Sequence, residues 1–285
     1  MVMMDTVITI QTVGEDDLAA VDRAFEWFRR IENACSRFEP ASEVQRLASR
    51  VNEAVAVSDI LFEMIRFSIA LAEETGGAFD PTLGARLEQR GFDRNYRTGE
   101  RVRSFAGQPA TTYRDVQLDL RARTVTLHQP IVFDLGGVAK GFAIDMAARE
   151  LAPLQNFAID AGGDLYLAGR NAAAEPWTAG IRHPRDADRT FATLQVSNAA
   201  VCTSGDYLRR APDGGHHIHD PRSDAPADGV ASVTVVAPLA LVADGLATAA
   251  FVLGPERGIA LLEKHGVEGL LITTSLEEYR TRAAA

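Results

Sequence analysis

The segment with the clearest chemical potential is residues 134–141, Asp-Leu-Gly-Gly-Val-Ala-Lys-Gly, which lies between a predicted strand and a predicted helix. Two adjacent glycines let backbone amides approach a ligand, and the N-terminus of a helix attracts an anion. Lys140 would add a positive charge and Asp134 a hydrogen-bond acceptor. The segment fits neither the GxGxxG nor the GxxxxGK[ST] nucleotide motif, so a tight glycine turn without a ligand is the alternative.

A second segment, Asp244-Gly-Leu-Ala-Thr248, offers oxygen ligands for a metal ion. It is predicted to open a helix, and residues four apart share a helix face, so Asp244 and Thr248 can converge. A carboxylate and a hydroxyl are hard ligands, which suit a Mg²⁺ ion that keeps water and phosphate oxygens as its other ligands. The alternative, which is favoured when Asp244 is considered alone, is that its negative charge only stabilises the N-terminus of the helix.

Two glycine-containing loops could also bind a polar ligand. Residues 76–84 could present backbone groups, Phe79 and Asp80 to a planar polar molecule, although the same residues suit a simple turn. Asp160 and Asp164 flank a pair of glycines. They could bind a cation or a ribose hydroxyl, or they could be solvated acids of a β-turn.

Three of the six histidines lie in the run His216-His-Ile-His-Asp-Pro221. A zinc site would need more ligands at suitable spacing, and no HExxH motif or cysteine pair supplies them. A single histidine that acts as a general base, with the others solvated, is chemically more credible. The glycines at 214 and 215 also allow the alternative of a polar surface loop.

The composition limits the partners of this chain. Its 285 residues are 46% hydrophobic and 24% charged, which is typical of a globular protein that folds without a metal or disulfide staple. With 29 Lys and Arg against 39 Asp and Glu, the net charge is −10, which argues against nucleic acid and anionic membrane surfaces. No apolar run reaches the ~18 residues of a membrane span, so no stable membrane insertion is expected. Cys35 and Cys202 lack a partner cluster and are predicted to be reduced, inert thiols.

The elements that must position these residues follow from hydrophobic periodicity. Alternation predicts a strand over 7–12, and apolar residues three and four apart predict a helix over 18–31. A second helix has Ser58 as its N-cap and ends at Gly76. Further along, the pattern predicts a hairpin over 116–120 and 125–128 and a helix that ends near Leu151.

The second half of the sequence is rich in predicted strands, with two late helices near 243–253 and 255–265. The predicted strands are 157–159, 165–168, 178–181, 193–196, 200–203, 232–236 and 269–273. This order lacks a strict βαβ alternation and predicts an α+β fold, with mixed or antiparallel sheets flanked by helices. We expect one domain over 1–285, in which the polar residues 86–113 form a surface excursion or a small subdomain, and a frayed tail over 279–285.

Taken together, these segments resemble the ApbE family, the FAD:protein FMN transferases. The similarity extends in order along nearly the whole chain, and this joint order is far more specific than any one motif. The matching segments are Met4-Asp-Thr6, Ser36–Glu43, Thr75–Thr82, Asp134–Gly141, Gly162-Gly-Asp164, Thr203-Ser-Gly-Asp206, His217–Pro221 and Asp244–Thr248.

The resemblance implies an enzyme that binds FAD as its substrate and uses Mg²⁺. It would cleave the pyrophosphate, release AMP and join FMN through a phosphoester bond to a Thr or Ser of an acceptor protein. Positioning and a metal ion lower most of the barrier to such a cleavage, and a protein hydroxyl benefits from a nearby base. The alternatives are an FAD pyrophosphatase, in which water replaces the acceptor, and a non-catalytic flavin-binding protein.

The resemblance also implies roles for individual residues. Asp244 and Thr248 match the side-chain metal ligands, and Gly137 matches a third ligand through its backbone carbonyl. His217, rather than His216 or His219, matches a histidine that activates the acceptor hydroxyl. The positions that hold or support FAD are Met4, Phe38, Ala78, Phe79, Asp80, Asp134, Lys140, Asp160 and Asp164.

Three features depart from the family pattern. Asp5 replaces a glycine beside the expected flavin site, and Asp224 replaces a glycine after the His217 loop. Many relatives are exported lipoproteins, whereas this sequence shows neither a signal peptide nor a lipoprotein cysteine. A cytoplasmic location is therefore predicted, with the acceptor in the cytosol or on the cytoplasmic face of a membrane protein; the alternative is that an export signal has been trimmed from this sequence.

Overall fold

A computed structural model of the chain describes residues 1–14, 17–102, 111–207, 215–223 and 225–282. The helices are α1 (Leu18–Cys35), α2 (Glu43–Ala48), α3 (Asp59–Glu74), α4 (Gly84–Gln89), α5 (Gly136–Leu151), α6 (Ala240–Leu253) and α7 (Pro255–Lys264). The strands are β1 (Val2–Met3), β2 (Thr6–Thr12), β3 (Val55–Ala56), β4 (Val116–Asp119), β5 (Thr124–Leu127), β6 (Phe157–Ala161), β7 (Asp164–Ala168), β8 (Trp177–Arg182), β9 (Thr190–Val196), β10 (Ala199–Gly205), β11 (His219–Asp220), β12 (Ala225–Pro226), β13 (Val230–Ala237), β14 (Glu268–Thr273) and β15 (Glu278–Arg280).

The chain divides into two compact units. The first, here the sheet unit, comprises Met1–Phe28, Lys140–Arg209 and Ala227–Ala285. The second, here the loop unit, comprises Arg29–Ala139 and Arg210–Pro226. The predicted α+β class with antiparallel sheets is confirmed. The single domain predicted over 1–285 stays a prediction.

The core of the sheet unit lies around β13 and α6. The main sheet has the order β1-β2-β6-β7-β10-β13-β14-β15, and each neighbouring pair is antiparallel. Nearly every residue of β13 is buried, as expected for a strand covered on both faces. Helix α6 packs against β10 and β13, and it is apolar almost all round because it is buried on most sides.

In the loop unit, α3 buries an apolar face. Its N-cap is Ser58, as predicted, and the Ser58 hydroxyl accepts the N–H of Leu61 at 3.3 Å. Leu61, Phe62 and Ile65 are fully buried on its inner face. The helix ends at the glycines 76 and 77, whose φ angles of +61° and +82° are left-handed and suit glycine. Strands β3, β5 and β4 form a small antiparallel sheet in the same unit.

Three predictions of local structure need correction. Helix α6 begins at Ala240 and not at Asp244, so Asp244 lies inside the helix. Within the polar segment 86–113, Asp93 and Asn95 are buried, so the described part of that segment is more than a surface excursion; residues 103–110 lie outside the described structure. The predicted frayed tail includes Tyr279 and Arg280, which belong to β15 and pair with β14.

Among the described residues, no helix combines the length and the apolar character needed to cross a membrane. Cys35 and Cys202 are buried thiols without a disulfide, as predicted. Burial, reinforced by the nearby Glu43 for Cys35 and by Asp164 and Asp244 for Cys202, raises the pKa of both thiols. Neither thiol is therefore a reactive thiolate at neutral pH.

Candidate functional site

Lys140 is the centre of a charged cluster inside the sheet unit. Its ammonium group pairs with the Asp164 carboxylate, which is almost fully buried and also accepts the N–H of Thr203 at 3.0 Å. Burial alone would lower the pKa of Lys140, but Asp164 and Asp244 outweigh it and hold the pKa above its usual range. Lys140 is therefore a permanent positive charge, as an anion-binding group requires.

Asp244 belongs to the same cluster. It lies in the second turn of α6, is 5% exposed and accepts the N–H of Gly141 through Oδ2 at 3.1 Å. A Cβ on Gly141 would lie 2.6 Å from the carbonyl carbon of Ala240, and closer still to its oxygen. Only glycine allows α5 and α6 to approach this closely, which is why the Gly141 amide reaches Asp244.

Thr248 follows Asp244 by one helical turn, so both oxygen-bearing side chains lie on one side of α6. The Thr248 hydroxyl is 3.1 Å from the Ser204 hydroxyl in β10. Ser204 belongs to the Thr203-Ser-Gly-Asp206 motif, and its position beside Thr248 means that it can orient the hydroxyl.

In the loop unit, Arg37 joins two of the predicted flavin residues. Its side chain is 5% exposed, and Nε donates to Asp134 Oδ2 at 2.7 Å. The guanidinium lies 4.0 Å above the Phe38 ring, and it also donates to the carbonyl of Phe92 at 2.8 Å. Phe38 is held a second time, because Asn95 donates to its carbonyl oxygen at 3.1 Å.

Asp134 also connects the beginning of α5 to the loop 76–84. Its Oδ1 accepts the N–H of Gly136 at 2.9 Å, where α5 begins, and its own N–H donates to the carbonyl of Pro81 at 2.7 Å. The Asp134 carboxylate therefore accepts a hydrogen bond from the N-terminus of α5 through one oxygen and from the buried Arg37 guanidinium through the other. Both partners stabilise its ionised form.

The loop 76–84 is held by its own side chains. Asp80 accepts both the N–H and the hydroxyl of Thr82, at 2.9 and 2.7 Å, and the N–H of Tyr113 at 3.1 Å. Burial raises the pKa of Asp80, and these hydrogen bonds and the nearby Arg86 charge offset the increase only in part. Ala78 and Phe79 are buried in the same loop. The carboxylate of Asp80 thus shapes the loop from within.

His217 and His219 differ in their surroundings, although both lie in the loop unit. His217 is partly exposed, and its ring contacts Phe92 edge-on at a centroid distance of 6.3 Å. His219 is buried, and its Nδ1 lies 3.5 Å from Arg90. The expectation that the histidines beside the candidate base are solvated is therefore wrong for His219. Arg86 fixes the end of the run through the carbonyl of Pro221 at 2.9 Å.

Met4 lies on a turn of the main sheet, whereas Asp160 lies in β6, just before the turn that leads to β7. Met4 and Asp5 form the tight turn between β1 and β2, with left-handed φ angles of +52° and +61°. Asp is among the residues that tolerate this conformation, so the turn accommodates Asp5 without a glycine. Asp160 is exposed and accepts the N–H of Gly163 at 2.8 Å. Asp164 is buried and paired with Lys140, so the alternative of two solvated acids is wrong for Asp164.

The donor set on α6 fits a hard cation that retains outside ligands. Asp244 and Thr248 supply a carboxylate and a hydroxyl one turn apart. In the described ranges of the chain, no group of three or more His, Cys, Asp or Glu side chains could enclose a metal ion. An ion held here would keep water or substrate oxygens, which is the habit of Mg²⁺.

Comparison with known proteins places this geometry in a family. The model of the ApbE family matches residues 4–271. The chain belongs to the ApbE family. The FAD:protein FMN transferase of Treponema pallidum is 35% identical over 295 residues, covering 94% of this chain and 80% of that protein. The enzyme of the same description from Haemophilus influenzae is 29% identical and covers 88% and 77%.

Solved structures of the ApbE family agree with the fold. The ApbE protein of Thermotoga maritima matches with a TM-score of 0.86 and 30% identity, covering 99% of this chain and 95% of that one. The flavin transferase ApbE of Vibrio cholerae matches with a TM-score of 0.85 and 27% identity over the same shares. The predicted family and enzyme class, a transferase, are confirmed.

Within each unit, the structure brings together only some of the predicted site residues of this ApbE chain. In the sheet unit, Lys140, Asp164 and Asp244 share one cluster. In the loop unit, Arg37 links Phe38 and Asp134, whereas Asp80 interacts with Thr82 of its own loop and with the amide of Tyr113. Gly137 lies in the first turn of α5, and Asp224 lies outside the described residues.

Sequence reasoning missed Arg37, Asp145 and Ser204. Arg37 and Ser204 lie inside segments that resemble the family, and that membership was the signal that could have found them. Asp145 lies outside every quoted segment. A buried acid on α5 has no local signature, since its partners lie about a hundred residues away in the sequence.

Arg37→Met is expected to destabilise the loop unit strongly. The substitution leaves Asp134 and the Phe92 carbonyl without the buried guanidinium, and breaking a buried pair costs about 3–5 kcal/mol. Urea denaturation measures the loss. Arg50→Met is the matched control, because its pair with Glu53 is about half exposed and should cost less than about 1 kcal/mol. Equal losses in the two variants would contradict a structural role for the Arg37 pair.

Proposed function

We propose that this protein is a Mg²⁺-dependent FAD:protein FMN transferase, which cleaves FAD and joins FMN to a Thr or Ser hydroxyl of an acceptor protein with release of AMP. The observation that supports it most is the cluster of Lys140, Asp164 and Asp244 with Thr248 on α6. It combines a permanent cation for phosphate oxygens with a carboxylate and a hydroxyl for a metal ion. Two named relatives carry the same description as transferases.

Each residue has a task in the proposed reaction. When bound, Mg²⁺ would withdraw charge from the phosphoryl oxygens as the pyrophosphate breaks. Asp244 and Thr248 would hold the ion, with the carbonyl of Gly137 as the third ligand suggested by the family pattern. Lys140 would neutralise phosphate charge, and it is kept protonated for this by Asp164.

The loop unit would bind the flavin part of FAD. Phe38 offers an aromatic face whose position is fixed by Arg37, and the buried Ala78 and Phe79 would shape the loop that follows the glycine turn. Asp134 holds the beginning of α5 through the Gly136 amide, and a helix N-terminus would favour the phosphate charge of FAD. Met4 and Asp80 would support the site through the shape of their turns, and Asp160 would do so through its hydrogen bond to the Gly163 amide.

The transfer step balances as follows. The acceptor hydroxyl oxygen forms a bond to the phosphorus on the FMN side, and the bond from that phosphorus to the bridging oxygen breaks. AMP leaves with the electron pair, and His217 takes the proton of the hydroxyl.

His217→Ala is expected to slow FMN transfer by about 10²-fold, the usual contribution of a general base, while leaving FAD affinity unchanged. Transfer is measured by covalent flavin fluorescence and affinity by quenching of free flavin fluorescence. His216→Ala is the matched control, because His216 precedes His217 in the same run and has no assigned role. A collapse of FAD affinity in His217→Ala would make His217 a flavin contact instead of a base.

An FAD pyrophosphatase is the second candidate, because the same metal and FAD residues would serve when water attacks. The experiment is to incubate the protein with FAD, Mg²⁺ and a candidate acceptor and to follow AMP and covalent flavin together. AMP without flavinylated protein would identify a hydrolase, and binding without AMP would identify a flavin-binding protein. The predicted cytoplasmic location belongs to this proposal, and cell fractionation tests it.

A further inference from the structure

Asp145 is a buried carboxylate that the proposed reaction does not use. It lies on α5 and is 6% exposed. Its two oxygens accept the first amides of α6: Oδ1 accepts the N–H of Ala240 at 2.7 Å, and Oδ2 accepts the N–H of Leu241 at 2.9 Å. These amides belong to the orphan donors that every helix leaves at its N-terminus.

Helix α6 therefore begins without a cap of its own. Leu239 occupies the N-cap position and makes no side-chain hydrogen bond to the helix. The cap comes instead from a different helix, so it connects two elements in addition to ending one. The same two helices are joined a second time, by the N–H of Gly141 and Asp244.

Between these two links the helices are in close contact. The absence of a Cβ at Gly141 allows the backbone of α5 to reach the carbonyl of Ala240. Gly141 and Asp145 are four residues apart, so they lie on one face of α5. One face of α5 thus fixes the beginning of α6, and Asp244 and Thr248 follow within the next turns.

The charge on Asp145 costs stability. Burial raises its pKa to about 6, although the amides of Leu241 and Ala240 and the charge of Arg149 lower it in part. The pKa of an aspartate in an unfolded chain is near 4, so the ionised form destabilises the folded protein above pH ~6 and the cost disappears below pH ~4. Burial raises the pKa of Tyr166 and of Cys202, and the charge of Asp145 adds to both increases.

We propose that Asp145 is a positioning residue for the metal site: it fixes the first turn of α6 against α5, so that Asp244 and Thr248 hold their oxygens in one place beside Lys140. The inference rests on the proposed function, because Asp145 can position metal ligands only if Asp244 and Thr248 of α6 bind a cation. Partners behind metal ligands commonly contribute 10–100-fold to metal affinity.

The test compares Asp145→Ala and Asp145→Asn with the unchanged protein, using Mn²⁺ as the probe. Electron paramagnetic resonance measures Mn²⁺ binding in the presence of FAD, and hydrogen exchange measures the amides of Ala240 and Leu241. We expect the Mn²⁺ dissociation constant to rise about tenfold in Asp145→Ala and the two amides to exchange faster. Asp145→Asn keeps one acceptor oxygen, so this variant should fold and show a smaller rise in the Mn²⁺ dissociation constant.

Leu262→Ala is the control for lost stability, because Leu262 is fully buried in the same unit but lies in α7, outside the two helices that Asp145 joins. It should lower the melting temperature and leave Mn²⁺ affinity unchanged. If folded Asp145→Ala keeps the Mn²⁺ affinity of the unchanged protein, or if Leu262→Ala loses as much Mn²⁺ affinity as Asp145→Ala, the inference is overturned and the proposed function is not. An unchanged protein that binds no Mn²⁺ would overturn the metal assignment, and the inference with it.

Discussion

Asp244→Asn should lower Mg²⁺-dependent FMN transfer by about 10³-fold, which corresponds to about 4 kcal/mol of lost transition-state stabilisation. The substitution removes the negative charge that would hold the metal ion. The amide oxygen of Asn can still accept the N–H of Gly141, so the contact between α5 and α6 and the fold should be kept. Initial rates across a range of Mg²⁺ concentrations measure the effect.

The neighbouring ligand supplies a matched pair of controls for this prediction. Thr248→Ser keeps the hydroxyl one turn from Asp244 and should retain most of the activity, whereas Thr248→Val keeps the shape without the hydroxyl and should raise the Mg²⁺ requirement. If Asp244→Asn were to keep its Mg²⁺-dependent rate within tenfold of the unchanged protein, Asp244 would not be a metal ligand.

Gly141→Ala should destabilise the sheet unit by about 3 kcal/mol, at the upper end of the cost of overpacking. Helix propensity predicts the opposite sign, because Ala is favoured over Gly inside a helix by about 1 kcal/mol. Sterics should win here. The new Cβ would lie 2.6 Å from the carbonyl carbon of Ala240 and 2.8 Å from Cα of Leu241, and backbone atoms cannot move aside as a flexible side chain can.

Gly180→Ala is the matched substitution, because its Cβ would meet only the Thr190 side chain at 3.6 Å, an ordinary contact. Thermal and urea unfolding of both variants give the comparison. Should Gly141→Ala prove as stable as the unchanged protein, the close approach of α5 and α6 would not exist in solution, and the positioning role of Asp145 would lose its basis.

The sequence predicts regular elements well where local signals decide them. Helix α3 begins after Ser58 because the serine hydroxyl satisfies an orphan amide, and such a cap is visible in the sequence. Helix α7 has Pro255 at its start, as predicted. The strands of the second half are found because alternating or continuous apolar residues are required on a covered sheet.

The beginning of α6 could not be predicted, because its cap is a distant side chain. Nothing near Ala240 resembles an N-cap, and Asp145 supplies the acceptors from another helix. Strand β15 escaped prediction for a related reason: its residues are exposed, and only the pairing with β14 makes them a strand. Nonlocal partners decide both cases.

In the candidate site, too, local signals are visible in the sequence and contacts between distant residues are not. Glycine segments and the spacing of Asp244 and Thr248 marked a site in the sequence, and α6 places both residues on one side. The sequence could not show that Asp80 binds Thr82 and the Tyr113 amide, or that His219 is buried beside Arg90. Which oxygens serve the fold and which serve a ligand depends on tertiary packing.

The most direct test of the proposed function is the ratio of AMP released to FMN bound covalently to an acceptor protein, measured in one reaction with FAD and Mg²⁺. AMP would be quantified by chromatography, and the modified Thr or Ser would be identified by mass spectrometry. A transferase should give one flavinylated hydroxyl for each AMP, with none when the acceptor residue is replaced by Ala. AMP accompanied only by free FMN, or no AMP at all, would contradict the assignment.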